Sequence, residues 1–276
     1  MLAIKNNLMA ENAARHLGTN YDHLAKSVER LSSGLRINTA MDDAAGLAVR
    51  ELMRADIAVL RQGSRNAADG ISMLQTFEGA MAAIDESLIR MKELAEQAAT
   101  GSYSDQQRAI MNAEFDQMAQ EIDRIATKTE FNTVKMLSCA TNTVVIHFGQ
   151  NSSGDNSQIP INGVDVRRSA LGLDASSVSL TSAGGAINAL GAVTNAILIK
   201  DSARASFGYM MNRLESTNSV LDITAENMLA SESRVSDVDV ATEMAAMTRH
   251  QVLAQGGISM LAQANSMPQM ALRLLG

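Results

Sequence analysis

The chain has no tryptophan, a single cysteine, three tyrosines and five phenylalanines. Apolar residues still make up 46% of its 276 positions, so alanine, leucine, isoleucine and methionine must fill the core in place of aromatic rings. Those types favour helices, and the flexible side chain of the 18 methionines suits irregular gaps between packed helices. With Cys139 alone, neither an intrachain disulfide nor a multi-cysteine metal site can be built. No stretch approaches the roughly 18 apolar residues of a membrane span. Met1 to Ala10 mixes charges and amides among its apolar residues and so lacks the apolar run of a cleaved signal peptide. Excess positive charge is missing too. The formal net charge is −7, which excludes the clustered Lys and Arg that nucleic-acid binding rests on. Neither nucleic acid nor a membrane is expected as a partner.

Catalytic chemistry finds no foothold. His16, His23, His147 and His250 are scattered, no H-E-x-x-H metal motif occurs, and no glycine-rich phosphate cradle is present. Asp42 and Asp43 are adjacent, so they diverge on a helix and suit capping better than acid–base work. Asp237, Asp239 and Glu243 could form a cation-binding cluster, but a solvated or interface-pairing face is the stronger reading. Gly256 and Gly257 suit a bend or close packing. No enzyme activity and no cofactor are expected.

What is present is a seam of apolar residues spaced alternately three and four apart, the period at which helices bury a stripe against a partner. It recurs in five segments. The first carries Leu17, Tyr21, Leu24, Val28, Leu31 and Leu35, broken near Gly34. The second follows Asp42 and Asp43, with Leu74, Phe77, Met81, Ile84, Leu88, Met91, Ala95 and Ala98 as its clearest run and Gly101 as its end. Spanning about 44 to 99 at about 1.5 Å per residue, that helix would be roughly 80 Å long and would need a rod-like partner. The third carries Met111, Phe115, Met118, Ile122 and Ile125 behind a Ser104 cap, close enough to Gly101 for an antiparallel hairpin. The fourth carries Phe207, Met210, Leu214, Thr217, Leu221, Thr224 and Met228. The fifth carries Met244, Met247, Ala254, Ile258 and Leu261, then Leu272 and Leu275, with Pro268 expected to kink or fray it.

Between about 130 and 185 the pattern changes. Val144, Ile146 and Phe148 alternate with Val145 and His147, and Ile159, Ile161, Val164 and Val166 lie beyond a polar loop at 150–158. The expected fold is mainly α: a long coiled-coil-like helical rod built from both chain ends, with a small β-hairpin region in the middle. An isolated amphipathic helix is marginal in water, so the end helices must pair with each other and then with further copies of the chain.

The runs ERLSSGLRINTAMDDAAG at 29–46 and NAADGISMLQTFEGAM at 66–81 resemble the N-terminal signature of bacterial flagellin. RASFGYMMNRLEST at 204–217, SRVSDVDVATEM at 233–244 and MLAQANSMPQMALRLL at 260–275 resemble its C-terminal half. The resemblance covers nearly the whole chain and is weakest in the middle. It implies a non-enzymatic subunit that polymerises into the flagellar filament for swimming motility, secreted to the extracellular flagellum without a cleaved signal peptide. It further implies an inner core domain of paired terminal helices at 1–40 plus 241–276, and an outer core domain at 41–240 with three long helices and the hairpin region. Implied partners are other copies in the filament, the flagellar export apparatus and flagellin chaperone, and the filament cap and hook-junction proteins. Cys139 and the Met1-Leu2-Ala3 start depart from the family's common pattern. A hook–filament junction protein is the alternative reading, and a chemoreceptor-like signalling hairpin is one from a different class.

Three groups of site residues follow. A polymer interface is expected at Leu17, Tyr21, Leu24, Val28, Leu31, Ile258, Leu261, Leu272 and Leu275, against the plainer reading that these stripes pack within one subunit. The segment LIRMKELAEQA at 88–98 resembles the part of flagellin met by its Toll-like receptor, which implies contacts at Arg90, Leu94 and Glu114. Arg90 and Leu94 are four apart on one helix face. O-linked sugars on outward loops, as in some flagellins, would fall at Thr141, Ser152, Ser153, Ser157 or Ser176 to Ser179, and Asn151-Ser152-Ser153 is a weak N-linked acceptor pattern.

Overall fold

The structure, a computed structural model, describes residues 6–149, 157–174 and 178–275; the side chains of 268, 269 and 271–275 lie outside that description. Its elements run α1 (Leu8–Ser33), α2 (Ala44–Ala99), α3 (Asp105–Lys128), β1 (Thr143–His147), β2 (Gln158–Asn162), α4 (Ala183–Ser236) and α5 (Val240–Leu275). The chain divides into two compact units, Met1–Ala55 with Asn227–Gly276, and Asp56–Glu226.

Each helix starts where a side chain can receive the free N–H groups of its first turn. The Asn7 amide accepts from Ala10 N at 3.2 Å and the Asp43 carboxylate from Gly46 N at 2.9 Å. Ser104 and Gln107 form a reciprocal capping box at α3. Ser182 accepts from Gly185 N at 3.1 Å, and Asp239 from Ala241 N at 3.0 Å. α1 stops at Gly34, whose φ of 73° needs a residue without a Cβ. At the far end of α2 the carbonyls of Ala98 and Thr100 accept from Arg108 at 2.9 and 3.1 Å, which is why that guanidinium is almost fully buried. α5 continues through Pro268 rather than ending there.

In the second unit, α2, α3 and α4 share one core. Every residue of the predicted run from Leu74 to Ala98 is buried. α3 lies antiparallel to α2, with Arg90 bound to Glu114 at 2.7 Å and Gln97 to the Tyr103 hydroxyl at 2.9 Å. α4 meets α2 through a regular seam of Ala186, Ala189, Val193, Ala196, Lys200, Ala203, Phe207 and Leu214, with the Phe77 and Phe207 rings 6.5 Å apart. Thr224, placed on this stripe by spacing, is exposed. After α3 the chain reverses at Asn132 and Thr133, both at positive φ (47° and 68°), between Phe131 and Val134, which exchange two backbone hydrogen bonds of 3.0 Å.

β1 and β2 pair antiparallel in the register Thr143↔Asn162 to His147↔Gln158. Ile159 and Ile161 turn into the core with Val144 and Ile146 packed beside them, while Val145 and Pro160 face outward, as the two-residue alternation predicts. The hairpin closes on α2 where Gly63 leaves room: a Cβ there would lie 2.7 Å from the Phe148 carbonyl oxygen.

Candidate functional site

The terminal helices pair antiparallel within the first unit. The register is marked from one end to the other by four contacts. Asn7 donates to the Ala264 carbonyl at 2.8 Å, Leu17 lies over Gly257, the His23 and His250 rings stack with centroids 5.0 Å apart, and Arg30 faces Glu243 at 3.6 Å. A side chain at 257 would press on Leu17, its Cβ 3.1 Å from Leu17 Cδ1, so Gly257 serves close packing.

The seam that α5 covers on α1 runs Ala10, Ala13, Leu17, Asn20, Leu24, Ser27 and Leu31. The spacing-based seam was one residue out of phase at every second position. Leu17, Leu24 and Leu31 belong to both, whereas Tyr21 and Val28 are 47% and 50% exposed. The physical reason is that Asn20 and Ser27 occupy the covered positions, so the apolar pattern pointed to their larger neighbours. Leu35 lies past the helix end, bridged to Asp237. On α5 the covered line is Glu243, Met247, His250, Ala254, Gly257, Leu261 and Ala264, and Met244 and Ile258, assigned to the seam by spacing, are exposed. Leu272 and Leu275 are on α5, but their side chains fall outside the described residues.

The turn between α1 and α2 is tied down by Asp42. Its carboxylate takes the Lys26 ammonium at 2.6 Å and the Thr39 and Asn38 N–H groups at 3.2 and 3.3 Å. The Lys26 hydrogen bond, then those of the backbone, hold this carboxyl well below the usual carboxylate range. Asp239 is likewise held down, by the Thr242 hydroxyl and the backbone it caps. Asp237 accepts from Ser233 at 2.6 Å and Glu243 faces Arg30, so these three acids act as caps and pairs. Among the described residues no group of three or more His, Cys, Asp or Glu could hold a metal ion, and no helix is long and apolar enough to cross a membrane.

The second unit holds the other candidates. Arg90 binds Glu114 at 2.7 Å and Glu93 at 3.1 Å on an open face. Leu94 is only 1% exposed and belongs to the core, so a partner could meet Arg90 and Glu114 here but not the Leu94 side chain. Thr141 Oγ1 lies 2.9 Å from Cys139 Sγ, and that hydroxyl with nearby backbone draws the thiol below its ordinary value. Ser157 is half-buried beside Gly149. Ser152, Ser153, Ser176 and Ser177 lie outside the described residues, and Ser179 pairs with Thr181 at 2.9 Å.

Sequence reasoning missed Lys200, 2% exposed at a seam position of α4. It binds Asp85 and, at 2.6 Å, Asp201. Burial pushes its charged form down, and the two carboxylates outweigh this, leaving the ammonium above the usual lysine value. The unbroken three-four spacing on both sides of position 200 was the available signal.

Comparison with known proteins completes the site. The bacterial flagellin N-terminal helical region matches residues 4–142 and the bacterial flagellin C-terminal helical region matches 190–275. The chain is similar to a flagellin of Halalkalibacterium halodurans, 44% identical over 274 residues, covering 99% of this chain and 100% of that one. It is 39% identical to a flagellar filament core protein of Brachyspira hyodysenteriae, with 99% and 100% covered. The crystal structure of Bacillus cereus flagellin superposes with a TM-score of 0.50 at 29% identity, covering 61% of this chain and 94% of that one.

Proposed function

We infer how this chain works from one premise: it belongs to the bacterial flagellin family and is a structural subunit of the flagellar filament. Copies self-assemble, and the product is the extracellular filament. The predicted interface residues divide into two roles. Leu17, Leu24, Leu31 and Leu261 hold α1 against α5. Tyr21, Val28 and Ile258 meet neighbouring copies, and Leu272 and Leu275 extend the same helix toward them. The observation that carries this division is exposure: Ile258 is 49% exposed, like Tyr21 and Val28, on helices already paired through another face. Replacing Tyr21, Val28 and Ile258 together with serine should leave subunits folded yet unable to regrow filaments after heating and cooling. Uniform filaments from that variant in electron micrographs would refute the division. In the filament the inner core comprises 1–40 with 241–276, and the outer core 41–240.

The chain leaves the cell through the flagellar export apparatus, escorted by a flagellin chaperone, and is seated between hook-junction and cap proteins. Its N-terminus is kept, so an exported protein trimmed by a signal-peptide-sized segment would contradict this route. Sugars, where present, sit on Thr141, Ser152, Ser153 or Ser157, and an intact mass equal to that of the bare chain would dismiss them.

A second reading rests on the exposed Arg90–Glu114 pair, which offers the Toll-like receptor for flagellin a joined cation and anion on one face. Leu94 supports α2 from beneath it. In a reporter-cell assay Arg90→Ala and Glu114→Ala should weaken signalling; unchanged signalling removes the reading.

A further inference from the structure

The α1–α5 pair contains a contact that filament assembly alone does not explain. The His23 and His250 rings stack at 5.0 Å with 27° between their planes. Nδ1 of His250 is buried and has no hydrogen-bond partner among the described residues. Seven residues along each helix lies the Arg30–Glu243 pair; His250 is on the covered line of α5, and the exposed His23 stacks on it from beside the α1 seam. Every other marked layer is indifferent to mild acid: an amide with a carbonyl, a leucine over a glycine, a guanidinium with a carboxylate.

We propose that the stacked His23–His250 layer is a proton-sensitive catch on the pairing of the terminal helices, and through it on filament assembly; this rests on the filament reading above. Two neutral imidazoles carry no charge to oppose the stacking. Histidine as a class gains its charge between about pH 8 and 5. A second proton places two like charges 5.0 Å apart, and among the described residues no carboxylate is hydrogen-bonded to either ring. The surroundings do not cancel that repulsion. On α1 the charged neighbours are Asp22, one residue away and so not facing the ring, and Lys26, on the same face and already bound to Asp42. On α5 the neighbour is Arg249, also one residue away, and Glu243 is engaged by Arg30.

The test uses full-length protein and seeded filament growth read by sedimentation at pH 7.5 and pH 5.0. The wild-type critical concentration should rise about four- to fifteen-fold in acid, the range set by two unit charges at this spacing in a largely aqueous setting. His23→Gln with His250→Gln should remove most of that rise. His250→Glu should reverse its sign, because acid would then create an ion pair with His23. An equal rise in wild type and double variant overturns the proposal, as does no rise in wild type. Failure of wild type to grow at pH 7.5 would instead count against the filament reading. Where the variants do not assemble, ring-to-ring NMR contacts in the wild-type protein decide. The His23–His250 contact should be present at pH 7.5 and lost at pH 5.0. A contact that persists unchanged at pH 5.0 overturns it.

Discussion

The two units of this chain solve the burial problem in opposite ways. The 56–226 unit is finished: three helices and a hairpin bury a continuous core from Ala67 to Leu214, and its ion pairs lie at the margins or, at Lys200, inside with two partners. The unit made from both chain ends is unfinished. Among its described residues the only buried apolar side chains are Ile37 and Ala254, whereas Leu8, Met9, Tyr21, Val28, Val252, Leu253, Ile258 and Met260 stand in water. One seam carries leucines against small residues, and apolar side chains on the other faces stand without cover among polar ones. Under the proposed division, stability within the subunit and affinity between subunits fall to different residues.

Substitutions in each unit test that contrast. The largest effect should come from deleting residues 1–35, which removes α1 from α5: filaments should vanish in electron micrographs while a cooperative thermal transition of the second unit persists. Filaments of normal diameter from the truncated chain would end the comparison. Next, Phe77→Ala should cost the second unit about 3–5 kcal/mol by emptying a fully buried site, measured by denaturant unfolding of the monomer. Tyr21→Ala should leave that curve unmoved and raise the critical concentration about tenfold, the size of one moderate interface residue. If both substitutions act on the same observable, the two units are not separable.

Charge gives smaller and pH-limited effects. Lys200 titrates above the unfolded lysine value, so its stabilisation is fully present below about pH 10.4 and is lost as pH rises through the raised folded value. Unfolding midpoints of the wild type should therefore fall in strong alkali, and Lys200→Met should lose that dependence. Asp42 has the opposite sign. Its stabilisation is present above about pH 3.9 and is lost as pH falls toward the depressed folded value. Protease nicking near the Asn38–Asp43 turn should rise in strong acid, and Asp42→Asn should show the same nicking at neutral pH. Equal nicking of both proteins at both pH values would leave Asp42 without this role.

How far the fold was legible follows from the same contrast. The run from Leu74 to Ala98 was readable because every third or fourth residue is apolar and every one is buried by a single set of neighbours. The hairpin was readable from alternation, since one face only meets the core. The phase of the α1 seam was not, because a helix with two apolar faces presents two spacings of equal quality and the covered one includes Asn20 and Ser27. Lys200 was hidden by the rule that charged residues lie outside, which fails where two partly exposed carboxylates meet a buried ammonium at the margin of the core. For Leu94 resemblance gave a contact, but only burial could tell that the side chain belongs to the core.

The Asn132–Thr133 turn reports on reserves. A β-branched residue held at φ 68° is in a region its side chain resists, at a cost on the order of 1–3 kcal/mol. Such a conformation persists only where the surroundings over-determine it, and here Met136 and Leu137, fully buried just beyond the turn, anchor the chain. The second unit bears that cost, and Thr133→Gly should relieve it. No such outlier occurs among the described residues of the terminal helices, where apolar surface stands exposed instead.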